Sequence, residues 1–141
     1  MEPIFTKKND FRRRMESLVL TAQEKITEQL SKLDGNRFKR DKWFRKDGSG
    51  GGIVNYIQNG NCFEKGGINV SVSFGELPEA AQKHMLEKSE KISDYLKNSR
   101  DNVRFYSASM SSVIHPLNPH VPTIHFNYRY CFLCCDSGEF V

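Results

Sequence analysis

The stretch from Thr123 to Cys135 constrains the fold of this chain more than any other part of it. Ile124, Phe126, Tyr128, Tyr130 and Phe132 alternate with His125, Asn127, Arg129 and Cys131. A period of two marks a strand with two unlike faces, because successive side chains point to opposite sides of a sheet. Val103 to His115 reads as the strand before it. The connection between the two carries Pro116, Pro119 and Pro122. Proline fixes φ and holds its predecessor extended, so the connection is non-helical.

Upstream the period changes. From Phe11 to Leu33, apolar residues Phe11, Met15, Leu18, Val19, Ala22, Ile26 and Leu30 recur at steps of three and four, which predicts an amphipathic helix. Asp34-Gly35-Asn36 ends it, with Gly35 free to take a positive φ. A basic stretch containing Phe38, Trp43 and Phe44 follows, and then Gly48-Ser49-Gly50-Gly51-Gly52. Ile53 to Gln58 reads as a strand, Asn59-Gly60 as a two-residue hairpin turn, and Asn61 to Lys65 as the return. Gly66-Gly67 interrupts that return before Ile68 to Phe74 resumes it, with Ile68, Val70, Val72 and Phe74 on one face. Glu76 to Leu96 reads as a second helix, with Pro78 in its first turn and Leu77, Ala81, Met85, Ile92 and Leu96 on a core stripe. The order of helix, hairpin, helix and two strands predicts an α+β fold: an antiparallel sheet flanked by helices.

Composition narrows the class of function. At 141 residues the chain is one domain or part of a larger one, and its apolar and charged fractions are those of a soluble globular protein. The net charge of +4 is concentrated at Arg12, Arg13 and Arg14, and again at Arg37, Lys39, Arg40, Lys42, Arg45 and Lys46. Such runs are solvated faces or attract an anionic partner. Nucleic acid is the weaker choice of partner, since no nucleic-acid motif is present and the glycine run lacks the Lys-Ser/Thr of a phosphate-binding loop. Cys131, Cys134 and Cys135 crowd together with only Cys62 elsewhere, which suits free thiols rather than a disulfide framework or a zinc site. Phe105 to Tyr128 has no formal charge, but its prolines, histidines and asparagines exclude a membrane span. The opening residues show no presequence, so the cytoplasm is the default compartment.

The chemistry sits in the polar row of the last strand. His125 brings an imidazole able to give or take a proton, Asn127 offers uncharged donors, and Arg129 can grip a carboxylate with two parallel hydrogen bonds. Ser111, Val113 and His115 share a face of the strand before it. The plain alternative is a polar face wetted by solvent. A metal site at His115, His120 and His125 is disfavoured by their steps of five, which suit neither a helix face nor a strand face.

Ser111-Ser112-Val113-Ile114-His115-Pro116, Asn118-Pro119, and Pro122-Thr123-Ile124-His125-Phe126-Asn127-Tyr128-Arg129-Tyr130 resemble the signature of the oxygen-dependent coproporphyrinogen oxidases. Trp43-Phe44-Arg45 with the glycine run, and Phe63 to Ser71, resemble further blocks of that family, so the likeness extends over about Phe11 to Tyr130. Ser109 and the Cys131–Cys135 stretch depart from it. The resemblance implies a proton donor at His125, substrate contacts at Ser111, Asn127 and Arg129, and a further site residue at His115. It implies that coproporphyrinogen III loses carbon dioxide from two propionates to give the vinyls of protoporphyrinogen IX in haem biosynthesis. It implies molecular oxygen as the co-substrate and no organic cofactor, and no metal is expected at the site. It also implies a homodimer, a mitochondrial intermembrane-space location in some members, and a carboxy-terminal half beyond residues 1–141. On that expectation the chain is an amino-terminal portion of a larger single-domain fold, either active when complete or an inactive fragment.

Overall fold

The computed structural model describes residues 11–88 and 103–134. Helix α1 spans Phe11–Asp34. Five strands follow, β1 Lys39–Phe44, β2 Gly50–Gln58, β3 Phe63–Glu76, β4 Arg104–Pro116 and β5 Ile124–Cys134, with α2 Glu79–Lys88 between β3 and β4. All pairings are antiparallel, and the strands lie in the sheet in chain order. The α+β architecture expected from the sequence is the one observed. Ile92, Leu96, Cys135 and the side chain of Met85 lie outside what the structure describes.

Helix α1 lies across one face of the sheet. Val19 and Leu20 pack there on Ile53, Ile68, Val70 and Met110, with Ala22, Ile26 and Leu30 at the margin. The seam is more polar than its periodicity predicts, because Glu16 and Gln23 are fully buried in it while Leu18 is exposed. Gln23 Nε2 donates to the carbonyl oxygens of Ile53 (2.8 Å) and Ile68 (2.7 Å), so one amide ties the helix to two adjacent strands. A buried polar group tolerates that position only because it finds such partners.

Four local features differ from expectation. The basic stretch forms an edge strand, β1, whose side chains are nearly all exposed. Charge on an edge strand discourages pairing with other molecules, and Arg40 also bonds Glu24 of α1 at 2.9 Å. Gly50 to Gly52 belong to β2 rather than to a loop. The indole of Trp43 lies over Gly52, where a Cβ would come within 2.5 Å of the ring, so the glycine makes room for the aromatic. Gly66-Gly67 does not break β3, which runs on with an irregularity between Phe63 and Lys65. Helix α2 begins at Glu79, after β3 has reached Glu76. Leu77 is buried between them and Ala81 half-buried.

The β2–β3 hairpin also reverses later than Asn59-Gly60. Asn59 has a φ of 54°, but its N–H donates to Glu64 and that of Gly60 to Phe63, which moves the reversal to Asn61-Cys62. The cause lies on another element. The buried carboxylate of Asp34, at the end of α1, accepts the backbone N–H groups of Asn61 (3.2 Å), Cys62 (2.9 Å) and Phe63 (3.0 Å). Gly35 ends the helix there with φ +83° and its N–H on Ser31.

Candidate active site

Strand alternation puts His125, Asn127 and Arg129 on the sheet face opposite α1, and the register of β4 with β5 decides what they meet. Ser111 lies directly across from Asn127, Ser109 from Arg129, and Val113 from His125. Directly paired residues have their Cβ atoms about 5 Å apart and share a face. The structure thus brings Ser111, Asn127, Arg129 and His125 together on one surface. His115 is on the same face two residues beyond Val113, paired across β3 with Lys65. His125, Asn127 and Arg129 are exposed, whereas Ser111 and His115 are half-buried.

The connection that carries β4 into β5 is held from two sides. Thr123 Oγ1 and His115 Nδ1 are 3.3 Å apart, which bridges the loop across its base. Leu117 N–H donates to the carbonyl of Cys62 at 2.8 Å, so the loop leans on the hairpin that Asp34 fixes. His120 sits in a turn that its own N–H closes on Asn118 Oδ1. Among the described residues no three His, Cys, Asp or Glu side chains gather as metal ligands.

Most of the surface around these residues was not singled out by the sequence reading. Asn69, Ser71 and Ser73 of β3 continue the open face, with Ser71 across from Ser109 and Asn69 across from Ser111. Ser107 and Ser109 complete it on β4, and Cys131 Sγ reaches Ser107 Oγ at 3.7 Å. Their alternation with Ile68, Val70 and Val72 was the available signal. The result is a broad floor of short polar side chains, bordered by Asn127 and Arg129, on which a flat ligand could lie. The aromatic row points the other way, towards α1. Phe126, Tyr130 and Phe132 are half-buried there, and the Phe11 ring meets Tyr130 edge-on at 5.3 Å. The Arg12 guanidinium stands 5.3 Å from the Phe132 ring centre.

Comparison with known proteins gives this face its context. A sequence model of the family described as Coproporphyrinogen III oxidase matches residues 14–139. The chain is 42% identical over 134 residues to the oxygen-dependent coproporphyrinogen-III oxidase of Drosophila melanogaster, covering 94% of this chain and 33% of the fly protein. It is 44% identical to the mitochondrial human enzyme of that name, over 86% of this chain and 26% of the human protein. It is 43% identical to the chloroplastic coproporphyrinogen-III oxidase 2 of Arabidopsis thaliana, over 84% of this chain and 48% of the plant protein. The chain therefore spans between a quarter and a half of these relatives. With the motifs carried on paired strands and the match running over nearly all of its length, the chain belongs to the coproporphyrinogen III oxidase family.

Proposed function

We propose that this chain carries the proton-transfer and substrate-holding residues of an oxygen-dependent coproporphyrinogen III oxidase. In the completed enzyme, each of two propionates would lose carbon dioxide and one hydrogen of the adjoining methylene to become a vinyl group, the two electrons and that proton, with a second proton from solvent, reducing molecular oxygen to hydrogen peroxide. The observation that carries the reading is the cross-strand group of Ser111 facing Asn127, with Arg129 and His125 one step to either side on the same surface. Arg129 holds a propionate through a planar fork, Ser111 and Asn127 fix the neighbouring arm, and His125 transfers a proton as the bond to carbon dioxide breaks. No carboxylate among the described residues pairs with Arg129, which leaves the guanidinium available to an anion. No organic cofactor enters the scheme.

A homodimer is part of this reading by family likeness. So is an organelle rather than the cytoplasm, since the human and Arabidopsis relatives are named mitochondrial and chloroplastic. A second reading, a piece of the enzyme without turnover of its own, draws on the span of one third of the fly relative. Formation of the two-vinyl, two-carboxylate porphyrin product by the 141-residue chain, separated from oxidised substrate, would reject that second reading. Formation only after the rest of a relative is supplied would reject independent activity.

Arg129→Lys tests the anchoring role. It keeps the charge and removes the fork, so KM is expected to rise roughly tenfold with a smaller change in kcat. Steady-state kinetics on the completed enzyme would check this. Full retention of both constants would mean that a point charge suffices.

A further inference from the structure

The open face has a second cationic corner that the resemblance does not assign. Tyr56, Gln58, Lys65, Gly67, Val113 and His115 line a shallow hollow of about 270 Å³. The register explains the convergence: Lys65 pairs with Gln58 on one side and His115 on the other, and Gly67 lies between Tyr56 and Val113. All six share the face that carries His125, Asn127 and Arg129. Gly67 has no Cβ, and one built there would meet only a Val54 methyl at 4.0 Å, so the floor of the hollow is open. Among the described residues no carboxylate pairs with Lys65. An ammonium, a phenol and an imidazole around an open floor suit a carboxylate: the first is a cation with three donors, and the others add polar contacts.

We propose that Lys65, with Tyr56 and His115, receives a second carboxylate of the substrate, at the end of the face opposite Arg129. The proposal rests on the functional reading above and extends it to the polarity of the bound molecule. Arg129 lies across from Ser109, which lies across from Ser71, six residues along β3 from Lys65. Six residues of strand and two strand spacings separate the Cα atoms by roughly 22 Å. Two long side chains leaning inward reduce the gap between their charges to about 10 Å, the scale of a macrocycle with carboxylate arms on opposite edges. His125 stands between the two cations, so a molecule held at both ends presents an intermediate arm to it. A tetracarboxylate is selected over a ligand charged on one edge only, because the one-edged ligand leaves one cation unpaired.

The test is a fluorescence titration of the folded chain with coproporphyrin, the stable oxidised tetracarboxylate, and with its uncharged tetramethyl ester. Lys65→Ala is expected to weaken coproporphyrin binding about tenfold, the weight of one charge-assisted hydrogen bond. Lys65→Glu should weaken it further, and neither variant should alter ester binding or the melting temperature, since Lys65 is exposed. Arg129→Ala serves as the reference. If Arg129→Ala weakens binding while Lys65→Glu binds as tightly as wild type, the Lys65 site is wrong and the functional reading stands. If wild type does not prefer coproporphyrin to its ester, both fall.

Discussion

His125→Ala is expected to lower turnover of the completed enzyme by about 100-fold or more, the usual weight of a positioned general acid or base. Structure should be spared, because the side chain is exposed near the start of β5 and faces Val113 across the pair. The useful comparison is kcat against the thermal midpoint. A large fall in kcat at an unchanged midpoint assigns the loss to proton transfer. An unchanged kcat at an unchanged midpoint removes His125 from the mechanism and leaves Arg129, Asn127 and Ser111 as a binding surface alone.

Asp34→Ala is expected to produce the largest loss of stability of any polar substitution in the described chain, about 3 kcal/mol at neutral pH. Three backbone N–H groups of the β2–β3 hairpin would lose their acceptor at once. Burial pushes the Asp34 carboxyl up, but the N–H groups of Cys62, Phe63 and Asn61 and the Asn36 amide outweigh it and hold the group below the ordinary carboxylate range. A group whose pKa is lowered by folding contributes stability above its unfolded value, near about 3.9, and loses it as pH falls through the folded value. Urea unfolding of wild type and Asp34→Asn at pH 7 and again near pH 2 checks the sign. The gap should be wide at pH 7 and narrow at the acid end. An equal gap at both would mean that the carboxylate charge is not what holds the turn. Because Leu117 leans on Cys62, loosening this hairpin should also loosen the loop that leads to His125.

The same aspartate shows where sequence reasoning stops. The hairpin was legible as a hairpin, but its point of reversal depends on a carboxylate nearly thirty residues upstream, which no local turn preference encodes. Strand β1 was invisible for a different reason. Its side chains are exposed on both faces, so Lys39 to Phe44 has no apolar period to detect. In α1 the apolar stripe was visible, but Gln23 counts as polar by any scale and became core only by finding Ile53 and Ile68. Strands β3, β4 and β5 were readable because one face of each packs against α1 and the other does not, which writes alternation into the sequence. That alternation also put His125, Asn127 and Arg129 on one face. Which of Ser109, Ser111 and Val113 each of them faces needed the β4–β5 register, which a long proline-rich connection leaves undetermined.

Gly52 separates two ways in which inherited change could remove this protein's contribution to a cell. Any side chain there displaces the indole of Trp43 and meets the Val70 carbonyl, so Gly52→Val disrupts the sheet rather than its chemistry. Such an allele is expected to act through quantity: cellular quality control would degrade the misfolded product, and immunoblots would show several-fold less of it. An allele at His125 would act through quality, leaving normal amounts of an idle protein. A normal steady-state level of the Gly52→Val product would break that distinction. Where it holds, a pharmacological stabiliser has something to rescue in the first kind of carrier and nothing in the second.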